Sequence, residues 1–338
     1  MTGVDAGRRG FLAGGIASLG LGVAAARAQA PAAARTRIDV HHHYVPPFHA
    51  DIMATKRSGG RPPKWTPQMS LDDMDKSGIA TAMVSLVQPG AWFADDVPLS
   101  RRLARDCNDY GAKLVADHPG RFGLFAAIAP PDPDGSLKEI EYVFDTLKAD
   151  GVGLFTSYDD KYLGDPSFEP VYAELNRRKA LVYVHPTTPS CCGNILPGIG
   201  PSTIEFATDS TRTITHIVIS GVATKFPDIR WIFSHSGGTL PFLTARLELL
   251  AQQKIIAGGA APILRKFYYE LAQGNTAGQL AALLKMVPMS QLLYGTDFPF
   301  RDGAEVNGGI AAYGFTPDDI RSIEREAALK LIPRLKPV

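Results

Sequence analysis

Histidines close three short apolar runs of this chain, and an aspartate closes a fourth. His41 and His43 follow Arg37–Val40, His185 ends Leu181–His185, His235 ends Trp231–His235, and Asp297 ends Leu292–Asp297. Imidazole and carboxylate are the side chains that ligate divalent metals and move protons near neutral pH. Residues two apart on a strand share a face, so His41 and His43 can point one way and His42 the other. Three imidazoles and one carboxylate make a set of three nitrogens and one oxygen that suits Zn2+. Mn2+, Fe2+ or Co2+ fit the same ligands, and a coordination position remains for water or substrate. Each piece alone has a plainer reading. His41-His42-His43 could be a surface cluster, and His185-Pro186 a core histidine before a turn. Ser234-His235-Ser236-Gly237-Gly238 and Gly295-Thr296-Asp297 could be helix caps. Four separate strand ends carrying the right side chains favour the metal site.

The elements that must position these groups alternate regularly. Strands are expected at Arg37–His41, Ile79–Val87, Phe122–Ala129, Val152–Thr156, Leu181–His185, Trp231–His235, Phe267–Leu271 and Leu292–Asp297. Helical patterns over 99–117, 136–148, 170–179, 210–225, 240–253 and 276–286 fall between them. Eight βα units without a composition break predict an α/β fold, a (β/α)8 TIM-type barrel whose active groups sit at the C-terminal strand ends. Tyr44–Ser70 and Thr187–Thr208, rich in Pro and Gly, are expected as loops over the barrel mouth, where Tyr44–Ser70 would decide the substrate. Trp65, Trp92 and Phe298 could form an aromatic wall, although core packing is the first expectation for each taken singly.

Composition excludes more than it identifies. Hydrophobic residues at 45% and charged residues at 20% suit a globular protein with a sizeable core. A formal net charge of +1 gives no electrostatic case for nucleic acid or an anionic membrane as partner. Three cysteines make no disulfide framework, and the adjacent Cys191 and Cys192 are expected to stay a free loop pair. Residues 1–30 read as a removable leader. Arg8-Arg9-Gly10-Phe11-Leu12 resembles a twin-arginine export signal. The Gly- and Ala-rich stretch after it is too weakly apolar for a stable span, and Ala28-Gln29-Ala30 supplies a cleavage pattern. The mature chain, residues 31–338, is therefore expected in the periplasm, with no stable membrane span after processing.

The motif residues also resemble a known group, the amidohydrolase-related superfamily in its aminocarboxymuconate semialdehyde decarboxylase-like branch. The matching segments are Ile38-Asp39-Val40-His41-His42-His43, Val184-His185-Pro186, Ser234-His235-Ser236-Gly237-Gly238 and Tyr294-Gly295-Thr296-Asp297-Phe298-Pro299, with Leu71–Ile79 and Arg121-Phe122-Gly123 between them. The resemblance implies that His41, His43, His185 and Asp297 hold one divalent metal, for which the ligand set itself favours Zn2+ with Mn2+ as the alternative. It implies that His235 works beside them as an acid-base or orienting group. Binuclear relatives carry a bridging Lys at the end of strand four. This chain has Leu154-Phe155-Thr156-Ser157 there and no Lys until Lys161, which favours one metal. Arg246 matches a position from which relatives reach a neighbouring subunit's site, implying a homodimer, and Arg61 resembles a substrate-binding position.

Together these readings predict a metal-dependent, non-oxidative decarboxylase of a small aromatic or unsaturated carboxylic acid. His185-Pro186-Thr187-Thr188-Pro189 and Ser210-Thr211-Arg212-Thr213 resemble the 6-methylsalicylate and hydroxybenzoate decarboxylases. The metal would bind the carboxylate and an adjacent hydroxyl, and Asp297 or His235 would supply a proton. The same groups could instead activate water against a lactone, ester or amide, or hydrate a substrate. A non-catalytic periplasmic metal- or carboxylate-binding protein is the reading from another class. It leaves the additional histidine without a purpose.

Overall fold

Residues 35–56, 62–192 and 195–336 are described by the structure, a computed structural model. The leader at 1–30 and Arg61 lie outside the described residues. Eight apolar segments form parallel strands: β1 (Arg37–Tyr44), β2 (Ile79–Leu86), β3 (Phe122–Ala127), β4 (Gly151–Phe155), β5 (Leu181–His185), β6 (Arg230–Phe233), β7 (Tyr268–Glu270) and β8 (Leu292–Leu293). They pair in sequence order. Both faces of most strands are buried, which is why they read as continuous apolar runs. Inside the barrel, Ile38, Val40, Met83, Phe125, Leu181, Tyr183, Ile232 and Leu293 pack together. Ala327, Ala328, Leu331 and Ile332 from the C-terminal helical segment join the same cluster. Arg230 fastens that segment through a bond from Nη1 to Leu331 O of 3.0 Å. The end of the barrel where the strands begin is thereby filled.

Helices cover the outside: α1 (Pro47–Lys56), α2 (Pro67–Ser77), α3 (Val97–Asp117), α4 (Pro133–Asp145), α5 (Glu169–Arg177), α6 (Glu205–Ile219), α7 (Leu240–Gln252), α8 (Ala277–Met286) and α9 (Gly303–Tyr313). Two of them fall where the sequence reads as loop. Tyr44–Ser70 contains all of α1 and the start of α2. Thr66 caps α2 by accepting from Met69 N, Pro67 sits in its first turn, and Gly78 ends it in the left-handed region. The expected helix over 210–225 is broken at Gly221, whose φ is 79°. Among the described residues no helix is long and apolar enough to cross a membrane.

Closure of the barrel sets the site. Along β1, Ile38 and Val40 face inward, and strict alternation would send His42 inward as well. The pairing with β2 shifts between Asp39 and His42. This bulge inserts one residue, so His41 and His43 turn inward and His42 turns out against α2. Asp39 holds the bulge. One carboxylate oxygen accepts from His41 N and Thr296 N, both at 3.0 Å. The other accepts from Thr296 Oγ1 at 2.7 Å and pairs with His42 Nδ1 at 3.0 Å. His43 N donates to Phe298 O at 2.7 Å, completing the seam between β1 and the segment after β8.

Cys191 and Cys192 do not stay free as expected: the structure joins them in a disulfide between neighbours. The pair sits in a turn closed by Cys192 N donating to Pro189 O at 3.3 Å.

The Asp39 seam makes a stability prediction. Asp39→Ala strands several buried donors at about 1–3 kcal/mol each, so the urea midpoint should fall by the equivalent of about 3 kcal/mol or more. Asp39→Asn, which can still accept, should lose less. An unchanged midpoint in the alanine variant would show that the seam holds without its carboxylate.

Candidate metal centre

At the open end of the barrel, His41, His43, His185 and Asp297 bring four donor atoms within 4.8 Å of one another, all on buried residues. His41 Nε2 stands 3.1 Å from His43 Nε2 and 3.1 Å from Asp297 Oδ1, and His43 Nε2 stands 3.2 Å from that same oxygen. Donors sharing one ion at about 2.0–2.2 Å sit about this far apart. His185 gives Nδ1 to Pro186 O at 2.7 Å, which leaves Nε2 as the nitrogen with a lone pair. That Nε2 and Asp297 Oδ1 are buried without a hydrogen-bond partner. Orphaned acceptors converging this closely are costly unless something cationic satisfies them, so the residues present fit a divalent ion.

The next layer aims these groups. Glu270 ends β7, and its Oε1 lies 2.8 Å from His41 Nδ1 and accepts from His235 N at 2.6 Å. Its second oxygen accepts from Ala272 N at 2.6 Å. The carboxylate thus fixes the His41 ring with Nε2 toward the other donors. Gly295 is required here, because a Cβ at that position would run into the Glu270 carboxylate and the His41 Cβ. Gln273 Nε2 donates to Asp297 Oδ2, leaving Oδ1 for the centre. Three of these residues hold left-handed backbone: His235 at φ 52°, Gln273 at 51° and Asp297 at 67°. Such conformations in residues other than glycine cost about 1–3 kcal/mol each and persist where the surroundings fix them.

The charges answer one another. Burial works against charge on the His41 ring, but Glu270 and Asp297 outweigh it and raise its pKa to about 10. Burial, with His43 and His41 as like-charged neighbours, holds His185 well below its ordinary value. Asp297 is buried too, yet His41 and His43 keep its carboxyl well below the usual range.

His235 completes the group from the turn after β6, its ring centroid 4.9 Å from that of His41 and 5.6 Å from that of His185. Its Nδ1 pairs with Ala272 O at 3.0 Å, leaving Nε2 as the free ring nitrogen. His42 lies apart: Nε2 bonds Ser70 Oγ at 2.8 Å and the ring stacks on Phe298. A cavity of about 1150 Å³ opens above the centre. Its walls include His43, His185, His235 and Asp297, Thr188 and Pro189 after β5, Pro201, Thr203 and Phe206 leading into α6, and Phe300 with Arg301.

Several expectations about this cavity need correction. Among its described walls there is no residue from Tyr44–Ser70, because α1 and α2 draw that stretch onto the outside of the barrel. Trp65 packs in the core and bonds Ser70, Trp92 Nε1 bonds Asp159, and Phe298 covers His42, so none of the three lines the cavity. Arg246, whose expected place is a neighbouring subunit's site, is exposed on α7 and lies outside its own chain's cavity, which leaves that expectation as it stood. Glu270, Gln273, Phe206 and Phe300 escaped the sequence reading. Only Glu270 carries a signal there, a carboxylate at the end of the apolar run Phe267–Leu271.

A family model described as amidohydrolase matches residues 38–334. The chain belongs to the amidohydrolase family. It is 35% identical over 326 residues to the decarboxylase yanB of Aspergillus niger, covering 89% of this chain and 88% of that one. It is 33% identical over 321 residues to the 6-methylsalicylic acid decarboxylase of Penicillium expansum, covering 89% and 97%. A crystal structure of a dihydroxybenzoic acid decarboxylase from a Polaromonas species, with bound manganese and the inhibitor 2-nitroresorcinol, shares the fold. Its TM-score is 0.78 at 20% identity, covering 90% of this chain and 98% of that chain. These relatives place this amidohydrolase in the decarboxylase branch of the family.

Metal analysis of the purified amidohydrolase should find about one divalent ion per chain. His41→Ala and Asp297→Ala should empty it, and Glu270→Gln should weaken binding by about 10–100-fold through the loosened His41 ring. Folded His42→Ala should keep its ion; loss there would mean that the bulge does not separate the two faces.

Proposed function

We propose that this chain is a metal-dependent, non-oxidative decarboxylase of a small hydroxylated aromatic carboxylic acid. The observation that carries the reading is the set of His41, His43, His185 and Asp297, with two orphaned donors, opening onto a cavity beside a free His235 Nε2. The decarboxylase relatives support the same reaction class. Zn2+ and Mn2+ both suit the ligands, and the manganese in the Polaromonas protein supports the second. A divalent ion held there supplies Lewis-acid charge toward a carboxylate and its neighbouring hydroxyl.

The remaining steps fall to the chain's own residues. Phe206 and Phe300 offer apolar walls to an aromatic ring. As the bond between ring carbon and carboxylate breaks, CO2 leaves and the electron pair takes up a proton at that carbon. His235 Nε2 or the Asp297 carboxyl holds that proton; Ala272 O keeps the His235 ring turned for it, and Gln273 steadies Asp297. No redox cofactor enters this balance. The end of β4 gives no support to a bridged two-metal hydrolase: Thr156 stands there with its hydroxyl donated to Asp209.

Location and assembly belong to the same proposal. Arg8-Arg9 with Ala28-Gln29-Ala30 supports export and a mature start at Pro31. Phe242 and Leu249 are 61% and 53% exposed and lie four and three residues from Arg246 along α7, so all three share one outward face. That apolar face supports pairing of two copies, with Arg246 serving a neighbour's site.

With its native metal, the enzyme should release CO2 from at least one hydroxybenzoate, 6-methylsalicylate included. In deuterated water the product should carry one deuterium at the vacated carbon. His235→Asn should lower kcat by about 10²–10⁴-fold while retaining the ion. An inert panel alongside hydrolysis of simple lactones or esters would overturn the assignment. For location and assembly, the periplasmic fraction should yield a dimer beginning near Pro31. Equal export after replacing Arg8 and Arg9 by Lys, or a monomer by sedimentation, would refute the corresponding part.

A further inference from the structure

The reaction proposed above gives Cys191 and Cys192 no part, yet they stand at the edge of its cavity. Thr188, Pro189 and Ser190 line the wall, and the bridged pair follows them directly. On the near side this wall is anchored. Thr187 and Thr188 bond Gln88, and Ser190 N donates to Asp160 Oδ1 at 3.2 Å while its hydroxyl donates to Oδ2. On the far side it is held by the turn from Pro189 O to Cys192 N and by the bridge itself. A bridge between neighbours closes a small ring that restricts the backbone of both. Opening the ring returns that freedom next to Ser190.

The two sulfurs differ in their surroundings. Cys191 is exposed, whereas Cys192 is half-buried and meets α6. There Arg212 Nη2 donates to Cys192 Sγ at 3.9 Å. Arg212 Nη1 is buried without a hydrogen-bond partner, 3.9 Å from Asp209 Oδ1. The Asp209 carboxylate is already engaged by Thr156 and Tyr162. The guanidinium therefore has a donor and charge to spare beside Cys192. A neighbouring cation stabilises a thiolate, and the sulfur so placed leaves more readily in an exchange. The third cysteine, Cys107, is buried, and burial pushes its thiol well above the ordinary value. Thiol chemistry thus falls to the bridged pair.

We propose that Cys191–Cys192 is a thiol–disulfide exchange site, addressed by a dithiol reductant, whose state sets how firmly the cavity wall holds substrate. A thiolate of the reductant attacks the exposed Cys191 Sγ. The S–S bond breaks, and Cys192 Sγ leaves with the electron pair beside Arg212. The reductant's second thiolate then attacks its own sulfur in the mixed disulfide and releases Cys191. The reductant ends as a disulfide, having lost two electrons and two protons. The electrons go to the two cysteine sulfurs, one proton to Cys191 and the other to Cys192 or solvent. The effect on substrate rests on the reading of the cavity given above; the exchange itself does not. Thr187 N, bonded to Thr156, separates His185 from the change, so the wall loosens while the centre stays.

The test compares the metal-loaded enzyme before and after treatment with dithiothreitol, removed by gel filtration, with metal content checked in both. Iodoacetamide should label neither Cys191 nor Cys192 before treatment and both after it, with Cys107 unlabelled throughout. Amide hydrogen exchange across residues 187–192 should quicken on reduction. KM for the best hydroxybenzoate should rise by about 5–30-fold, the cost of fixing about one residue's backbone again on binding. Its kcat should stay within about threefold, and reoxidation should restore KM. Cys191→Ser and Cys192→Ser should show the reduced enzyme's KM whatever the treatment. Arg212→Gln should slow reduction by about 3–10-fold through the poorer leaving thiolate. Lys285→Gln, an exposed charge on α8, should not. Labelling of both cysteines before treatment would overturn the inference, as would unchanged hydrogen exchange after reduction. If CO2 is released with the same KM in both states, the inference falls and the decarboxylase reading stands. If reduction loosens 187–192 and weakens calorimetric binding of salicylate but no acid loses CO2, the exchange site is upheld and the reaction assignment fails.

Discussion

The Asp39 carboxylate, buried between the first and last strands, is the constraint on which the site depends. It accepts from both sides of the seam that closes the barrel, and it stabilises the bulge that turns His41 and His43 inward together. Without the bulge, alternation along β1 would face His42 into the barrel and carry its neighbours outward. Closure and ligand placement are therefore one event. The same hydrogen bonds that join β1 to the segment after β8 bring Asp297 to within 3.1 Å of His41. A buried carboxylate is tolerated at this position because its acceptor capacity is met by donors the seam would otherwise leave unpaired.

Backbone strain at the mouth follows from this arrangement. His235, Gln273 and Asp297 leave their strands in left-handed conformations, each turning a side chain back over the strand end. An extended exit would carry those groups up and away along the loop. Glu270 pins the first turn through His235 N, while Ala272 O receives His235 Nδ1, so β6 and β7 restrain each other. The rigid bottom of the barrel, filled by Ala327–Ile332, gives these turns a fixed base. The cost falls on a few residues, and the packed core around them offsets it.

Much of this arrangement is legible in the sequence, because each barrel strand is buried on both faces and reads as an apolar run with a distinctive end. The eight strands and the terminal position of His185 follow from that pattern, whereas β6 and β8 stop at Phe233 and Leu293, so that His235 and Asp297 sit in the turns beyond them rather than on the strands. The right pairing of His41 with His43 also follows, although for an incomplete reason: simple alternation predicts it only if Asp39 faces inward too, and the structure needs a bulge. Hydrogen bonding between distant segments is what sequence pattern does not encode. Gln273 sits in a polar turn without a motif, and Glu270 gains its meaning only when β7 lies beside β1 and β6. The loop between Tyr44 and Ser70 misleads because Pro47 and Pro67 each start a helix rather than interrupt one. The Cys191–Cys192 bridge depends on a local turn that residue types alone do not fix.

The end of β4 shows how a missing ligand becomes a structural part. In place of a bridging Lys, Thr156 donates its hydroxyl to the buried Asp209, which also accepts from Tyr162 OH at 2.6 Å. The same Thr156 oxygen accepts from Thr187 N at 3.0 Å, at the root of the loop that walls the cavity. Gln88, from the loop after β2, receives Thr187 Oγ1 and Thr188 N at 3.0 and 3.2 Å. The strand end that could have held a second ion thus braces the cavity wall from below. A Lys at this position would need a new partner for Asp209 and would release Thr187 together with the wall above it. The single centre and the shape of the cavity are in this way coupled through one hydroxyl, and a change toward two-metal chemistry would have to rebuild both.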